Sequence, residues 1–391
     1  MRAVSAPDRR RLTSAAVMLR AVLEHGPTAR STIARLTGLS PAAVTRQFTA
    51  LADLGLITEA ADALIYRGVG RPHIPVDIDL DRHLVLGIHI AHDHSTLAAL
   101  DLRGRIRAQR RLPHASTDPA RVLAVAAREL TALRRKEVPG RIPLGLGVAV
   151  GGWVDPDDGV LVHHASLDWH DVPVRSLLTA DTGLPVRLDS HARALARAEQ
   201  LFGAVRGQSS VVHLFVGNVV DAAIVTSGEV HRGPRSAAGD VAHLALGDPT
   251  VLCPCGRRGC LEATVSDRGW AARAMAEGII DQPSIVDLVA AARAGKTTAR
   301  ESLAERARTV GRAAAMLFDI LNPEVLVVTD YAAIELPGYL QTIRGEVGRP
   351  VRGSSFPADS VLGVAAGAAL LGEIYADPLS LPDGVPFSGR T

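Results

Sequence analysis

The sequence predicts an α/β body of two related lobes carrying a winged helix-turn-helix at its N-terminal end. Three observations support this. In the first 55 positions apolar residues recur at helical spacing around a glycine turn. A hairpin-helix-strand pattern occurs twice between positions 84 and 329. Arginine is concentrated ahead of both repeats. The boundaries expected are 1–78 for the head and linker, 79–378 for the body, and a loose tail at 379–391.

Leu12, Ala16, Leu19 and Leu23 fall on one face of a first helix that stops at Gly26-Pro27. A second helix spans about Arg30 to Thr37, with Ile33, Ala34 and Leu36 available for burial, and Gly38 supplies the left-handed turn after it. Ser40-Pro41 opens a third helix: the hydroxyl accepts from an orphan N–H, and proline fits the first helical position. Val44, Phe48 and Leu51 form its apolar stripe. Ala42, Thr45, Arg46 and Thr49 lie opposite, with Gln47 at the edge, short or donor-bearing side chains suited to a major groove. Leu56–Thr58 and Leu64–Tyr66 are expected as wing strands around Ala61-Asp62. Arg71, in Gly68-Val69-Gly70-Arg71-Pro72, is expected to reach a minor groove or a phosphate. The expected DNA-contacting set is Ser40, Ala42, Thr45, Arg46, Gln47 and Arg71. A three-helix protein-interaction module with a plain linker is the alternative.

Charge favours the nucleic-acid reading. The net charge of +2 hides eight arginines in residues 1–52 against only Asp8 and Glu24. Genomic arginine bias does not explain an excess at one end. No apolar run approaches the roughly 18 residues of a membrane helix, and no apolar segment follows the arginines of MRAVSAPDRRR, so a cytoplasmic protein without a secretory signal is expected.

In the body, Leu84–Ile90 and Leu97–Leu102 read as a hairpin turning at Arg103-Gly104, followed by a helix at Ala120–Leu133 and a buried strand at Leu144–Val150. Val211–Val216, Ala222–Thr226, a helix at Arg306–Leu321 and a strand at Val325–Thr329 repeat the unit. Gly363–Gly372 reads as a tightly packed small-residue helix. His163-His164 and His170 read as solvated loop residues, and Trp153 and Trp169 as residues near the cleft mouth. The three cysteines, Cys253, Cys255 and Cys260, lie within eight residues, which points to metal rather than disulfides; inert buried thiols are the alternative.

From the helix-turn-helix to about Tyr375 the chain resembles the ROK proteins (repressors, open reading frames and sugar kinases). The segment Cys253-Pro-Cys255-Gly256-Arg-Arg-Gly259-Cys260-Leu-Glu262 matches that family's CxCGxxGCxE signature. The resemblance implies a two-lobed, actin-like (ribonuclease H-like) sugar-kinase fold. It also implies one structural zinc on His243, Cys253, Cys255 and Cys260, a closed thiolate-imidazole set with no open position for hydrolytic chemistry. It places His243 and Glu262 on a sugar as well, joined by Ser190, His191 and Asp240 at the family's other sugar-contacting positions.

The kinase parts depart from the family pattern. The first phosphate loop, DxGGT in the kinases, reads His89-Ile90-Ala91-His92-Asp93. The second, GTGxGxG, reads Gly217-Asn218-Val219-Val220-Asp221-Ala222-Ala223, and the adenosine segment becomes Thr329-Asp330-Tyr331. The END-A-N pattern of the catalytic aspartate reads Asp189-Ser190-His191-Ala192-Arg193, and the glutamate of GExxGH becomes Asp240. Phosphoryl transfer needs a phosphate cradle, a metal-binding carboxylate and a base, so no catalytic residues and no ATP are expected. His191 reads equally as a ligand group or as a core histidine.

The function expected is a sequence-specific DNA-binding transcriptional regulator, read as a repressor, with a non-catalytic sugar-kinase-like domain sensing a carbohydrate or derivative. Its partners are a pseudo-palindromic duplex operator and further copies of the chain, as homodimer or homotetramer, with no membrane. The alternatives are an active sugar kinase with a DNA-binding head and a ligand-independent DNA-binding protein.

Overall fold

The computed structural model describes residues 12–60 and 74–380. The head begins with α1 (Ser14–His25), α2 (Arg30–Thr37) and α3 (Pro41–Asp53). Thr13 caps α1 by accepting from Ala16 N, Gly38 closes α2 at φ 73°, and Ser40 Oγ accepts from Ala43 N at 3.2 Å with Pro41 at the first helical turn of α3. Strand β1 (Ile57–Glu59) pairs antiparallel with β2 (Val76–Ile78). The expected second wing strand, 64–66, lies outside the described residues, as does Arg71; the observed partner of β1 is β2. An Arg30–Glu59 ion pair of 2.6 Å, with Arg30 also lying over the Phe48 ring, ties α2 to β1 and α3.

The first lobe contains β3 (His83–Ile90), β4 (His94–Leu100), β5 (Ile106–Pro113), α4 (Pro119–Glu137) and β6 (Ile142–Val150). It continues through β7 (Trp153–Asp155), β8 (Val160–His164), β9 (Trp169–Val172), α5 (Val174–Thr182), β10 (Val186–Ser190) and α6 (His191–Leu201). The second lobe contains β11 (Val211–Val216), β12 (Val220–Thr226), β13 (Glu229–His231), α7 (Leu261–Val265), α8 (Asp267–Ala276), α9 (Ile285–Arg293) and α10 (Thr297–Leu321). Then come β14 (Val325–Asp330), α11 (Tyr331–Glu335), α12 (Pro337–Val347), β15 (Val351–Gly353) and finally α13 (Val361–Ala376).

The two main sheets have the same topology. In the first the order is β10-β6-β3-β4-β5, and in the second β15-β14-β11-β12-β13. In each, three strands meander antiparallel and two further strands add in parallel to the first. The repeat read from the sequence is therefore a repeat of a five-stranded unit, the two-lobed actin-like arrangement. Strands β3, β11 and β14 are buried at every position, as strands covered on both faces must be.

Several expectations need correction. The first hairpin turns at Ala91–Asp93; Asp101–Gly104 is a second turn, leading into β5. Histidines 163, 164 and 170 lie in the β8–β9 hairpin rather than a loop, with His163 and His170 paired across strands and His164 buried. Trp169 is a core residue whose Nε1 donates to Thr117 O at 2.8 Å, not a cleft residue.

Helices α6 and α13 lie between the sheets. Ala192, Ala194, Leu195, Ala365, Ala366 and Ala369 join Phe215, Val225 and Val327 in one buried cluster. The small residues are required: a Cβ at Gly147 of β6 would stand 2.1 Å from Ala366 O. The head is joined to the body by a shared apolar cluster. Met18, Leu19, Ile33, Leu51 and Leu56 belong to it with Leu102, Leu201, Leu370, Leu371 and Ile374. Each fully buried side chain of this kind contributes about 1.5–3 kcal/mol. Arg20 Nε donates to Tyr375 O at 3.0 Å, and Arg103 Nη1 donates to Leu23 O at 2.8 Å while its Nη2 pairs with Asp77.

Candidate functional site

On the head, Ala42, Thr45, Arg46 and Thr49 are exposed and Gln47 is half-buried, while Val44 and Leu51 are buried beneath them. The Thr45 and Thr49 hydroxyls donate back to Pro41 O and Thr45 O, at 3.0 and 3.2 Å, which orients their lone pairs outward. Ser40 is committed to the helix cap. Arg46 has no side-chain partner among the described residues, so its guanidinium is available to a base edge or phosphate.

Between the lobes, residues at the positions that match the family's kinase motifs pack against one another. His191 opens α6 and is buried. Its ring lies 3.9 Å from the Phe215 ring centroid and is stacked on His89, centroids 5.7 Å apart and planes within 8°. A Cβ on Gly151 would meet Val219 Cγ2 at 2.8 Å and His191 Cε1 at 3.0 Å, so the two lobes touch here. Among the described residues, neither ring nitrogen of His89 or His191 has a hydrogen-bond partner. Burial pushes the His89 pKa down to about 3, and that of His191 well below its ordinary value. Both rings are neutral at pH 7. Asp221 is half-buried, with Oδ1 accepting from Ala222 N and Oδ2 out of contact with solvent, and desolvation raises its pKa to about 7.

Ser190 Oγ caps α6 by accepting from Arg193 N at 3.3 Å. Arg193, which the sequence reading did not single out, completes this corner. It pairs with Asp189 at 2.5 Å and donates to Ser236 O and Val154 O at 2.9 and 3.0 Å, tying the first lobe to the loop after β13. Trp153 Nε1 donates to Arg235 O at 2.8 Å, and Arg232 pairs with Asp157 at 2.7 Å across the same junction.

The segment Thr329-Asp330-Tyr331 is likewise engaged in internal contacts. Asp330 accepts from Ala332 N to cap α11, and it pairs with the buried Arg306 of α10 at 3.0 Å. Arg306 also pairs with Asp267 at 2.6 Å and donates to Val265 O at 2.8 Å and Tyr339 Oη at 3.0 Å. Burial is the largest influence on Arg306, yet the surrounding carboxylates hold its pKa above the ordinary value.

On the second lobe, His243, Cys253, Cys255 and Cys260 bring one donor atom each within 4.8 Å of one another. Cys253 Sγ lies 3.8 Å from His243 Nδ1, and Cys255 Sγ 3.7 Å from Cys260 Sγ. A tetrahedral ion with bonds of about 2.3 Å has donor separations of about 3.7 Å, so the four residues fit a four-coordinate metal. Gly256 and Gly259, at φ 85° and 74°, allow the tight loop. With Nδ1 facing the thiols, the Nε2 of His243 is left for another partner. Glu262 Oε2 accepts from Val220 N at 2.9 Å, holding the β11–β12 turn, and the charges of His243 and Asp240 act on it. Asp240 is exposed. The structure thus groups Asp240, His243 and Glu262 on one side and sets Ser190 and His191 inside the packed cleft.

A model of the ROK family matches residues 85–367. The chain is similar to a transcriptional regulator of Mycobacterium tuberculosis, 35% identical over 94% of this chain and 87% of the relative. It is also similar to the DNA-binding transcriptional repressor Mlc of Escherichia coli, 25% identical over 82% of this chain and 81% of the relative. The crystal structure of a ROK family transcriptional regulator, a homolog of that Mlc protein, superposes with a TM-score of 0.77 at 22% identity. It covers 95% of this chain and 98% of that one.

Proposed function

The chain belongs to the ROK family, and from that premise we propose that it is a DNA-binding transcriptional regulator, a repressor, whose kinase-like body no longer transfers phosphate. The observation that carries the reading is the exposed face of α3. Ala42, Thr45, Arg46 and Thr49 point outward from a helix capped at Ser40 and anchored through Val44 and Leu51. Arg71 is assigned the minor-groove or phosphate contact. A two-fold homodimer places two such helices about 34 Å apart, one turn of duplex, and so reads a pseudo-palindromic operator. Tetramers form by pairing such dimers. A protein that works on the chromosome resides in the cytoplasm, and no helix of the described residues is long and apolar enough to cross a membrane.

The test is selection of bound fragments from genomic DNA, followed by affinity measurement at fixed salt. Arg46→Ala is expected to cost about 1–3 kcal/mol of binding and to relax preference at one base pair. Equal affinity and equal preference in the variant would remove α3 as the reading surface.

The metal at His243, Cys253, Cys255 and Cys260 is zinc in this reading, because thiolate and imidazole in a closed set are its preferred structural ligands. When bound, it fixes the loop that carries Glu262 towards the cleft. Kinase chemistry is disfavoured because imidazole, phenyl and isopropyl groups occupy the space between the lobes. The Arg306–Asp330 pair uses the adenosine segment for packing. Calorimetry is expected to show no ATP binding, and sugar-dependent ATP turnover would establish the kinase alternative.

A carbohydrate effector contacts Asp240, His243 Nε2 and Glu262 in this assignment, over Ser190 and His191. The second reading is a body closed without ligand, favoured by the Arg193, Trp153–Arg235 and Arg232–Asp157 ties across the lobes. A thermal-shift panel of hexoses, amino sugars and sugar phosphates separates the two, since only the first predicts stabilisation.

A further inference from the structure

Away from the inter-lobe cleft, a cavity of about 370 Å³ opens where the head meets the body. Its size falls within the range of small-molecule sites, about 300–1,000 Å³. One wall is Leu23, at the end of α1; the others come from the β4–β5 turn, the end of α6 and the approach to α13. Half-buried Phe202 and Phe356 supply an apolar floor, while Arg103, Arg105 and Arg206 surround it. Among the described residues no acidic side chain lines the cavity. The Arg105 side chain has no partner among the described residues. Arg206 is exposed and donates only to the carbonyls of Gly203 and Phe202. Two guanidinium groups without a carboxylate partner among the described residues, and a third shared with Asp77, line one cavity with two phenyl rings and match an anion that carries an apolar group.

We propose that this joint is a second effector site, taking a small organic anion whose carboxylate or phosphate meets the arginines and whose apolar part rests on Phe202 and Phe356. Occupancy acts on the head through Arg103. That side chain is the tie between body and head, donating to Leu23 O at 2.8 Å and pairing with Asp77 of β2. An anion at the site competes with Asp77 for the same guanidinium and loosens α1 and β2. If the loosened head binds duplex less well, duplex binding must weaken the anion by the same factor. This regulatory half rests on the DNA-binding reading; the site itself does not.

The test uses the full chain with phenyl phosphate and 4-phenylbutyrate as probes, against inorganic phosphate and benzyl alcohol as half-probes. Calorimetry is expected to give saturable binding of at least one whole probe below 5 mM, at least tenfold tighter than either half-probe. Which of the two binds more tightly distinguishes a phosphate from a carboxylate head. The R105A/R206A double variant changes two exposed side chains. It is expected to keep the wild-type melting midpoint and lose at least tenfold in probe affinity. Hydrogen exchange in 14–25 and 76–78 is expected to rise on saturation. Absence of saturable binding by both whole probes, or equal binding by the double variant, overturns the site. Binding with unchanged exchange in the head overturns the coupling. Duplex affinity, measured with and without probe, is a separate arm: a chain that binds the probe but no DNA refutes the regulator reading and leaves the site standing.

Discussion

Acid should unfold this protein through its buried histidines, and the size of the effect follows from the structure. His89 and His213 are both buried, and burial takes each from an ordinary 6.5 down to about 3. The charges of His94 and His164 act on His89 in the same direction. Below pH 6.5 the unfolded chain takes up protons at these positions that the folded chain refuses, so stability falls as pH falls from about 6.5 towards 3. At pH 5 each imidazole is about 1.5 pH units below its ordinary value. At about 1.4 kcal/mol per unit this costs about 2 kcal/mol for each ring and about 4 kcal/mol for the pair. His191 adds to the loss in the same direction. With an unfolding entropy of about 2.1 cal/mol/K per residue, the pair lowers the melting midpoint by about 5 °C between pH 7 and pH 5. The assay is calorimetric melting of wild type and His89→Leu at both pH values. The variant should lose about 2 kcal/mol of the difference, the share of one ring. Acid also strips thiolate-bound metal, but it does so in both proteins, and the comparison between them cancels that contribution. Identical pH dependence in the two would refute the claim that a neutral, unpartnered His89 is sealed between the lobes.

Arg306→Met leaves the buried Asp330 and the half-buried Asp267 without their cation. It should cost about 3–5 kcal/mol by urea denaturation, and a loss under 1 kcal/mol would mean the carboxylates are hydrated. Gly147→Ala drives a methyl group into Ala366 O and should cost about 1–3 kcal/mol; a neutral result would show that α13 can lift off its sheet. Cys255→Ser should reduce bound zinc, read by atomic emission, from one ion per chain to a small fraction, with a lower melting midpoint. Full occupancy in that variant would exclude Cys255 as a ligand.

The head was nearly complete in the sequence because its signals are local. Ser40-Pro41, Gly38 and the spacing of Val44 and Leu51 each act within one or two helical turns. The body was legible where strands are apolar throughout, as in β11 and β14. Strand β5 was missed because Ile106–Pro113 alternates half-buried with exposed arginine and glutamine, a pattern of an edge strand rather than a core one. The β7–β9 sheet was missed because its strands are short and its turns look like loop. At the site, a template identifies lost groups more readily than gained ones. The absent carboxylate at His191 was visible, whereas the buried, paired roles of Arg193 and Arg306 were not, since arginine is rarely buried. The stacking of His89 on His191 joins residues a hundred positions apart, and no local pattern encodes it.

The close seating of α13 has a mechanical consequence. Gly87 and Gly147 bring its backbone against the first sheet, and Gly367 accepts Leu100 into the groove behind it. A rod wedged so tightly has no freedom to slide or spin, so it can only travel together with that sheet. Its far end carries Leu371, Ile374 and Tyr375, on which α1 sits. Any displacement of the first sheet is thereby passed to α1, at the base of the head.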